Sequence, residues 1–159
     1  MGRHLHPACA RLLAVALLVG AACRPLPAGA AGAPPSSDLP DLAPVRARIY
    51  AGEFAEASAE LLALSRTTQH AEVYNLLGYS LRQLRRHDEA AHWYREALTY
   101  DPAHRPALEY QGELFIALGD FDAARRNLRY LQLLCAGQGC VEYDKLAQAL
   151  REASRAPAP

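Results

Sequence analysis

One interval that recurs along this chain constrains it more than any other feature. Gly112 follows Gly78 by 34 positions (112 − 78), and Ala124 follows Ala90 by the same 34 (124 − 90). Around the first glycine, Tyr74, Leu77, Leu81 and Leu84 advance in steps of three and four, so they share one helix face. A glycine inside a helix costs up to about 1 kcal/mol against alanine, so one that recurs marks a close approach by a neighbouring element. Ala90, Tyr94, Ala97 and Leu98 form a second helical stripe. Gly78 and Ala90, both small, are expected to face each other and let two antiparallel helices approach to about 8 Å. Asp88 is placed to cap the second helix, with Glu89 favouring its N-terminal dipole. Asp101-Pro102 ends it, because a residue before proline is pushed out of the α region. Such a pair cannot bury its apolar face alone, so successive pairs must stack into a continuous core.

The block from Ala71 to His104 resembles a tetratricopeptide repeat, whose pattern is aromatic-x2-Leu-Gly-x2-Tyr, then Ala-x3-Phe, then Pro. Those places hold Tyr74, Leu77, Gly78, Leu81, Ala90, Tyr94 and Pro102, with Leu81 standing in for the aromatic. A later copy, Arg105 to about Gln138, holds Leu108, Gln111, Gly112, Phe115, Ala124, Leu128 and Leu131, with Gly119-Asp120-Phe121-Asp122 as its turn. Gln111 for leucine and Ala136 for proline depart from the pattern and suggest that this copy ends against a different kind of element. An earlier copy, about 38–70, is weaker. Ala57 precedes Ala90 by one place less than the period (90 − 57 = 33), and Pro44-Val45 stands where the Leu-Gly pair belongs. Proline is tolerated in a first helical turn, so this copy reads as a degenerate capping repeat.

The expected fold is therefore all-α, a right-handed α-solenoid of about three helix pairs. Its helices fall at about 41–50, 54–66, 70–84, 87–99, 104–118 and 121–135, with an amphipathic capping helix at 141–152. The repeat domain spans 41–152, divided at about 38–70, 71–104 and 105–138, and 153–159 reads as a disordered tail.

Residues 1–30 read as a signal peptide. Arg3 and Arg11 precede an apolar run from Leu12 to Ala22, and Ala28-Gly29-Ala30 is a small-x-small cleavage site. The run is too short to span a bilayer. Cys23 leaves a second possibility open, because Leu18 to Cys23 is similar to a bacterial lipobox, although Gly20 replaces the usual leucine. A Pro/Ala-rich linker, 31–40, follows in either case. The protein is expected to be periplasmic or secreted, or, if Cys23 is lipidated, anchored to the cell envelope. Without residues 1–30 the chain loses three arginines and no acids, leaving 14 basic and 17 acidic residues, a charge of 14 − 17 = −3. That balance, with no basic run, gives no pull towards nucleic acid.

Cys135 and Cys140 remain after such processing, with Gly137 and Gly139 between them. In an oxidising compartment they are expected to form a disulfide. The spacing is wrong for a redox motif, and no second Cys or His pair lies near enough in sequence to complete a zinc site. His70, His87, His92 and His104 read as solvated or helix-end residues. No phosphate loop, Gly-x-Ser-x-Gly or supported carboxylate pair is present, so the reading is non-catalytic, without cofactor or metal. Glu109 and Glu113 are expected to form an acidic surface strip.

The resemblance implies that the first helix of each pair lines a concave groove. It would place there Arg46, Ile49 and Tyr50, then Glu72, Asn75, Tyr79, Arg82 and Gln83, then Glu109, Glu113 and Ile116. Tyr50 and Tyr79 are the aromatic contacts that binding surfaces favour, and the charges suggest a field running from basic to acidic along the groove. The partner class is another protein or peptide segment, with a membrane involved only if Cys23 is lipidated. The function expected is an adaptor or scaffold in the bacterial cell envelope. A lipoprotein whose repeats act as a structural spacer is the other reading.

Overall fold

The computed structural model describes residues 36–136 and 139–155. The signal-peptide and lipidation readings, with Cys23, lie outside these residues, as do positions 31–35 and 156–159. Among the described residues seven helices follow in order: α1 Ala43–Tyr50, α2 Phe54–Leu64, α3 Ala71–Gln83, α4 His87–Tyr100, α5 Arg105–Ala117, α6 Phe121–Leu134 and α7 Val141–Arg155. Consecutive helices pack as pairs, α1 on α2, α3 on α4 and α5 on α6, and the pairs stack into an all-α solenoid. Buried Leu61, Leu77 and Tyr94 hold the first two pairs together, while Leu131, Leu146 and Leu150 hold the last.

Each pair turns through the same chain reversal. Gly52, Arg85 and Gly119 have φ of +78°, +60° and +79°. At each, the amide one residue further on donates to the carbonyl five residues before it: Glu53 to Arg48, Arg86 to Leu81, and Asp120 to Phe115. This is the Schellman ending, which needs a left-handed residue and favours glycine there. Arg85 alone pays the Cβ penalty of that conformation, about 1–2 kcal/mol, and its side chain is exposed. Arg85→Gly should therefore raise stability by roughly 0.5–1 kcal/mol once the greater freedom of glycine in the unfolded chain is subtracted, seen as a higher urea midpoint.

Four sequence readings need correction. Gly78 faces the ring of Tyr94, not Ala90: an added Cβ would lie 2.8 Å from Tyr94 Cδ1 and Cε1. Asp88 does not cap α4, because Arg86 occupies the N-cap position without a side-chain bond and Asp88 falls inside the first turn. The tail does not begin at 153. Ala153–Arg155 continue α7, where the Ser154 hydroxyl donates to the Leu150 carbonyl and Arg155 suits the C-terminal dipole. The linker is not free throughout either. Ser36 lies in a single parallel bridge with Thr68, donating its N–H to the Thr67 carbonyl at 2.8 Å and accepting from Gln69 N–H at 2.7 Å.

Two departures from the repeat pattern have direct explanations. Pro44 sits in the first turn of α1, where it interrupts no hydrogen bond. Gln111, buried where leucine is usual, accepts from Asn127 Nδ2 at 2.9 Å, and the same amide donates to the Leu108 carbonyl. Removing either partner would leave a buried polar group unpaired.

Candidate functional site

The first helices α1, α3 and α5 enclose a cleft of about 320 Å³, lined by Arg46, Ile49, Tyr50, Leu76, Tyr79 and Tyr110. Tyr50, at the last position of α1, is 87% exposed. Tyr79 is fixed from both sides: its ring lies 6.2 Å from Phe54 and 4.9 Å from Tyr110, centroid to centroid. Arg82 sits over both tyrosines, its guanidinium carbon 5.6 Å from the Tyr79 ring and 5.8 Å from that of Tyr110, within cation–π range. The result is a rigid aromatic wall with one free aromatic at its rim. Sequence reasoning missed Leu76 and Tyr110. They occupy equivalent places one period apart (110 − 76 = 34), and the large aromatic at the second of them was the available signal.

The charges of this face are not free to set up a field from one end to the other. Arg46 on α1 is hydrogen-bonded to Glu72 on α3. Arg82 on α3 pairs with Glu113 on α5 at 2.6 Å. Lys145 on α7 lies 3.5 Å from Glu109 on α5. Each first helix is thus ionically tied to the next, and the basic-to-acidic gradient suggested by the sequence is cancelled pair by pair.

Glu72 is the most heavily used of these groups. It accepts from Asn75 Nδ2 at 3.1 Å, and His104 Nε2 also lies 3.1 Å from its carboxylate. Burial pushes its carboxyl up, but the bonds from His104 and Asn75 and the charge of Arg46 outweigh this and hold it below the usual range. The Nδ1 atoms of His70 and His104 cap α3 and α5, accepting from Glu72 N–H and Ala107 N–H. Asn75 is only 1% exposed, so it supports Glu72 from beneath and does not line the face.

Glu109 and Ile116 also leave the site. Glu109 is 2% exposed, covered by α7, and so belongs neither to a groove nor to an acidic surface strip. Ile116 packs on the cluster around Leu131 and Leu146. Both were misplaced because the docking of α7 over α5 is a tertiary event with no local signature. Burial raises the Glu109 carboxyl to about 7 despite Lys145, and Glu113 adds to the rise. A carboxyl raised on folding contributes stability that is complete below its unfolded value of 4.5 and lost as pH climbs through about 7. Glu109→Gln should therefore flatten the decline in unfolding free energy from about pH 5 to about pH 8, measured as urea midpoints at each pH.

At the far end of α6, Cys135 and Cys140 are joined, with Cα atoms 5.7 Å apart, inside the usual range for a disulfide. The link closes the connection from α6 into α7. Among the described residues no helix is long and apolar enough to cross a membrane.

Residues 71–104 match the family model of the tetratricopeptide repeat. No curated protein sequence matches the chain. Among solved structures the chain is similar to PcrH in complex with the chaperone binding region of PopD. The TM-score is 0.63 at 20% identity, over 70% of this chain and 86% of that one. It is similar also to the Yersinia enterocolitica type III secretion translocator chaperone SycD in an alternative dimer. There the TM-score is 0.59 at 19% identity, over 69% and 82% of the two chains. At such identities the likeness is one of fold.

Proposed function

We propose that this tetratricopeptide-repeat protein is a non-catalytic adaptor of the bacterial cell envelope that holds a segment of a partner protein against the face formed by α1, α3 and α5. The observation that carries the reading is the tyrosine cleft, with Tyr50 87% exposed beside the braced Tyr79 and Tyr110. Aromatics held rigid before binding lose little conformational freedom when a partner arrives. Because the face's charges are already paired, contact there is chiefly apolar and aromatic, and salt affects it little. The PcrH structure, which shares the fold, holds the chaperone binding region of another protein, PopD, and that supports a peptide segment as the ligand class. The envelope location rests on the signal-peptide pattern of residues 1–30.

The test starts from Tyr50→Ala. Exposed as it is, this change should leave stability within about 0.5 kcal/mol of the parent. Partner binding should fall by about 1–3 kcal/mol. A photo-crosslinking residue placed at Tyr50 in the producing cell, with mass spectrometry of the products, identifies the partner. The same residue at exposed Leu62 serves as the control. Equal crosslinking at both places, or undiminished capture by Tyr50→Ala, would favour the repeats as a spacer.

A further inference from the structure

The last helix repeats the pattern of a first helix in a register displaced by one position. Tyr143, Leu146, Ala147 and Leu150 follow Leu108, Gln111, Gly112 and Phe115 by 35 positions (143 − 108), where the earlier spacing is 34. They correspond to Tyr74, Leu77, Gly78 and Leu81 of α3, with the extra residue falling in the connection that the disulfide closes. So α7 carries the residue pattern of the first helix of a pair.

In α3 this pattern has a definite use. Gly78 is the notch into which the Tyr94 ring of α4 fits, and Tyr74 meets Trp93 and Tyr100 of α4 at centroid distances of 5.5 and 5.3 Å. On α7 the matching residues Tyr143, Ala147 and Leu150, with Leu128 of α6, form the floor of an open groove of about 530 Å³. Arg151 and Arg155 also line it, with Arg125, which is paired with Asp122 at 3.0 Å, and no acidic side chain lines it among the described residues. The basic rim has no such model in the earlier pair: Arg155, the last residue of α7, falls at the sequence place of Arg86, but Arg86 is the N-cap of α4 and its two 2.6 Å bonds to Glu89 lie within α4.

We propose that the α6–α7 groove receives an amphipathic helix from a partner protein. That helix sets an apolar face against Tyr143, Ala147 and Leu150, as α4 does on α3, and its acidic flank, led by a first-turn carboxylate, against the arginine rim at Arg155. The groove is separate from the tyrosine cleft. Helix-in-groove recognition of this kind reads apolar anchors at i, i+3 and i+4 spacing, and the arginine rim selects the sign of the flank.

The probe is a side-chain-stapled helical peptide with the sequence of residues 87–101, without Arg86 so that Glu89 is left to the groove, labelled and titrated by fluorescence anisotropy. Stapling is needed because an isolated helix of this length is marginal in water. Saturable binding is expected, weakened about tenfold or more by Arg155→Glu in the protein. A peptide carrying Glu89→Arg should recover that loss on Arg155→Glu and bind the parent poorly. Ala147→Leu, which fills the notch, should weaken every peptide. Tyr50→Ala should leave peptide binding unchanged, so failure here and failure at the tyrosine cleft are told apart. No saturation up to about 1 mM, or no recovery in the charge swap, overturns the proposal. So does a self-association, seen by sedimentation, that Arg155→Glu abolishes, since the occupant would then be a second copy.

Discussion

Gly78→Leu is expected to cost about 3 kcal/mol or more, at the top of the range of about 1–3 kcal/mol for added bulk in a packed core. The first added carbon would stand 2.8 Å from two carbons of the Tyr94 ring. That ring is 0% exposed, so it has no space into which to withdraw. Leucine is the better helix former by nearly 1 kcal/mol, and the clash outweighs it. Gly78→Ala should show the same sign at smaller size. Gly112→Ala should cost less, although its added carbon would meet Leu146 Cδ2 at 2.5 Å, because the obstructing atoms are the ends of a flexible side chain. Denaturant midpoints of the three variants order the effects, and a Gly78→Leu midpoint equal to the parent's would contradict the close approach of the Tyr94 ring to Gly78.

Leu146→Ala should remove about 2–5 kcal/mol. Leu146 is 0% exposed and fills the space above Gly112, so truncating it empties the contact that seats α7 on α5. The loss is a large share of the stability of a small domain, about 5–15 kcal/mol in all. It should also be local first: amides of α7 should lose hydrogen-exchange protection before those of α3 and α4, since α3 is covered by helices on both sides while α7 packs only on α5 and α6. Its ion pair joins Lys145, itself half-exposed, to Glu109, and contributes little once that contact loosens. Uniform loss of protection across all seven described helices would show instead that the stack opens as one unit.

The repeat was legible because Gly78 and Gly112 sit where only a small residue fits, and that demand shows in sequence at a fixed period. Arg85 hides the equivalent turn, since arginine carries no signal for a left-handed backbone. Its place midway between Gly52 and Gly119, one period from each to within a single position, is the only clue. Face assignment failed where a third element intervened. Glu109 occupies the same repeat position as Asn75, and both are buried, one under α7 and the other beneath the Glu72 network. Tyr50, at the edge of the stack with no described helix before it, stayed exposed as its position implied. The first-helix pattern of α7 was obscured because the extra residue before α7 displaces it from the period of the others.

The three ties between successive first helices use three different pairings of repeat positions: Arg46 with Glu72, Arg82 with Glu113, and Lys145 with Glu109. As building blocks, therefore, the repeats are not interchangeable. If the segment 71–104 were duplicated in tandem, Arg82 of the first copy would meet Tyr79 of the second, the residue that stands one period before Glu113 (113 − 79 = 34). A largely buried guanidinium would lose its carboxylate, at the cost that attends breaking one side of such a pair. Shuffling the order strands charges in the same way. Lineages that lengthen or shorten this stack should therefore change positions 82 and 113 together, and the charges along the first helices act as an address for each repeat.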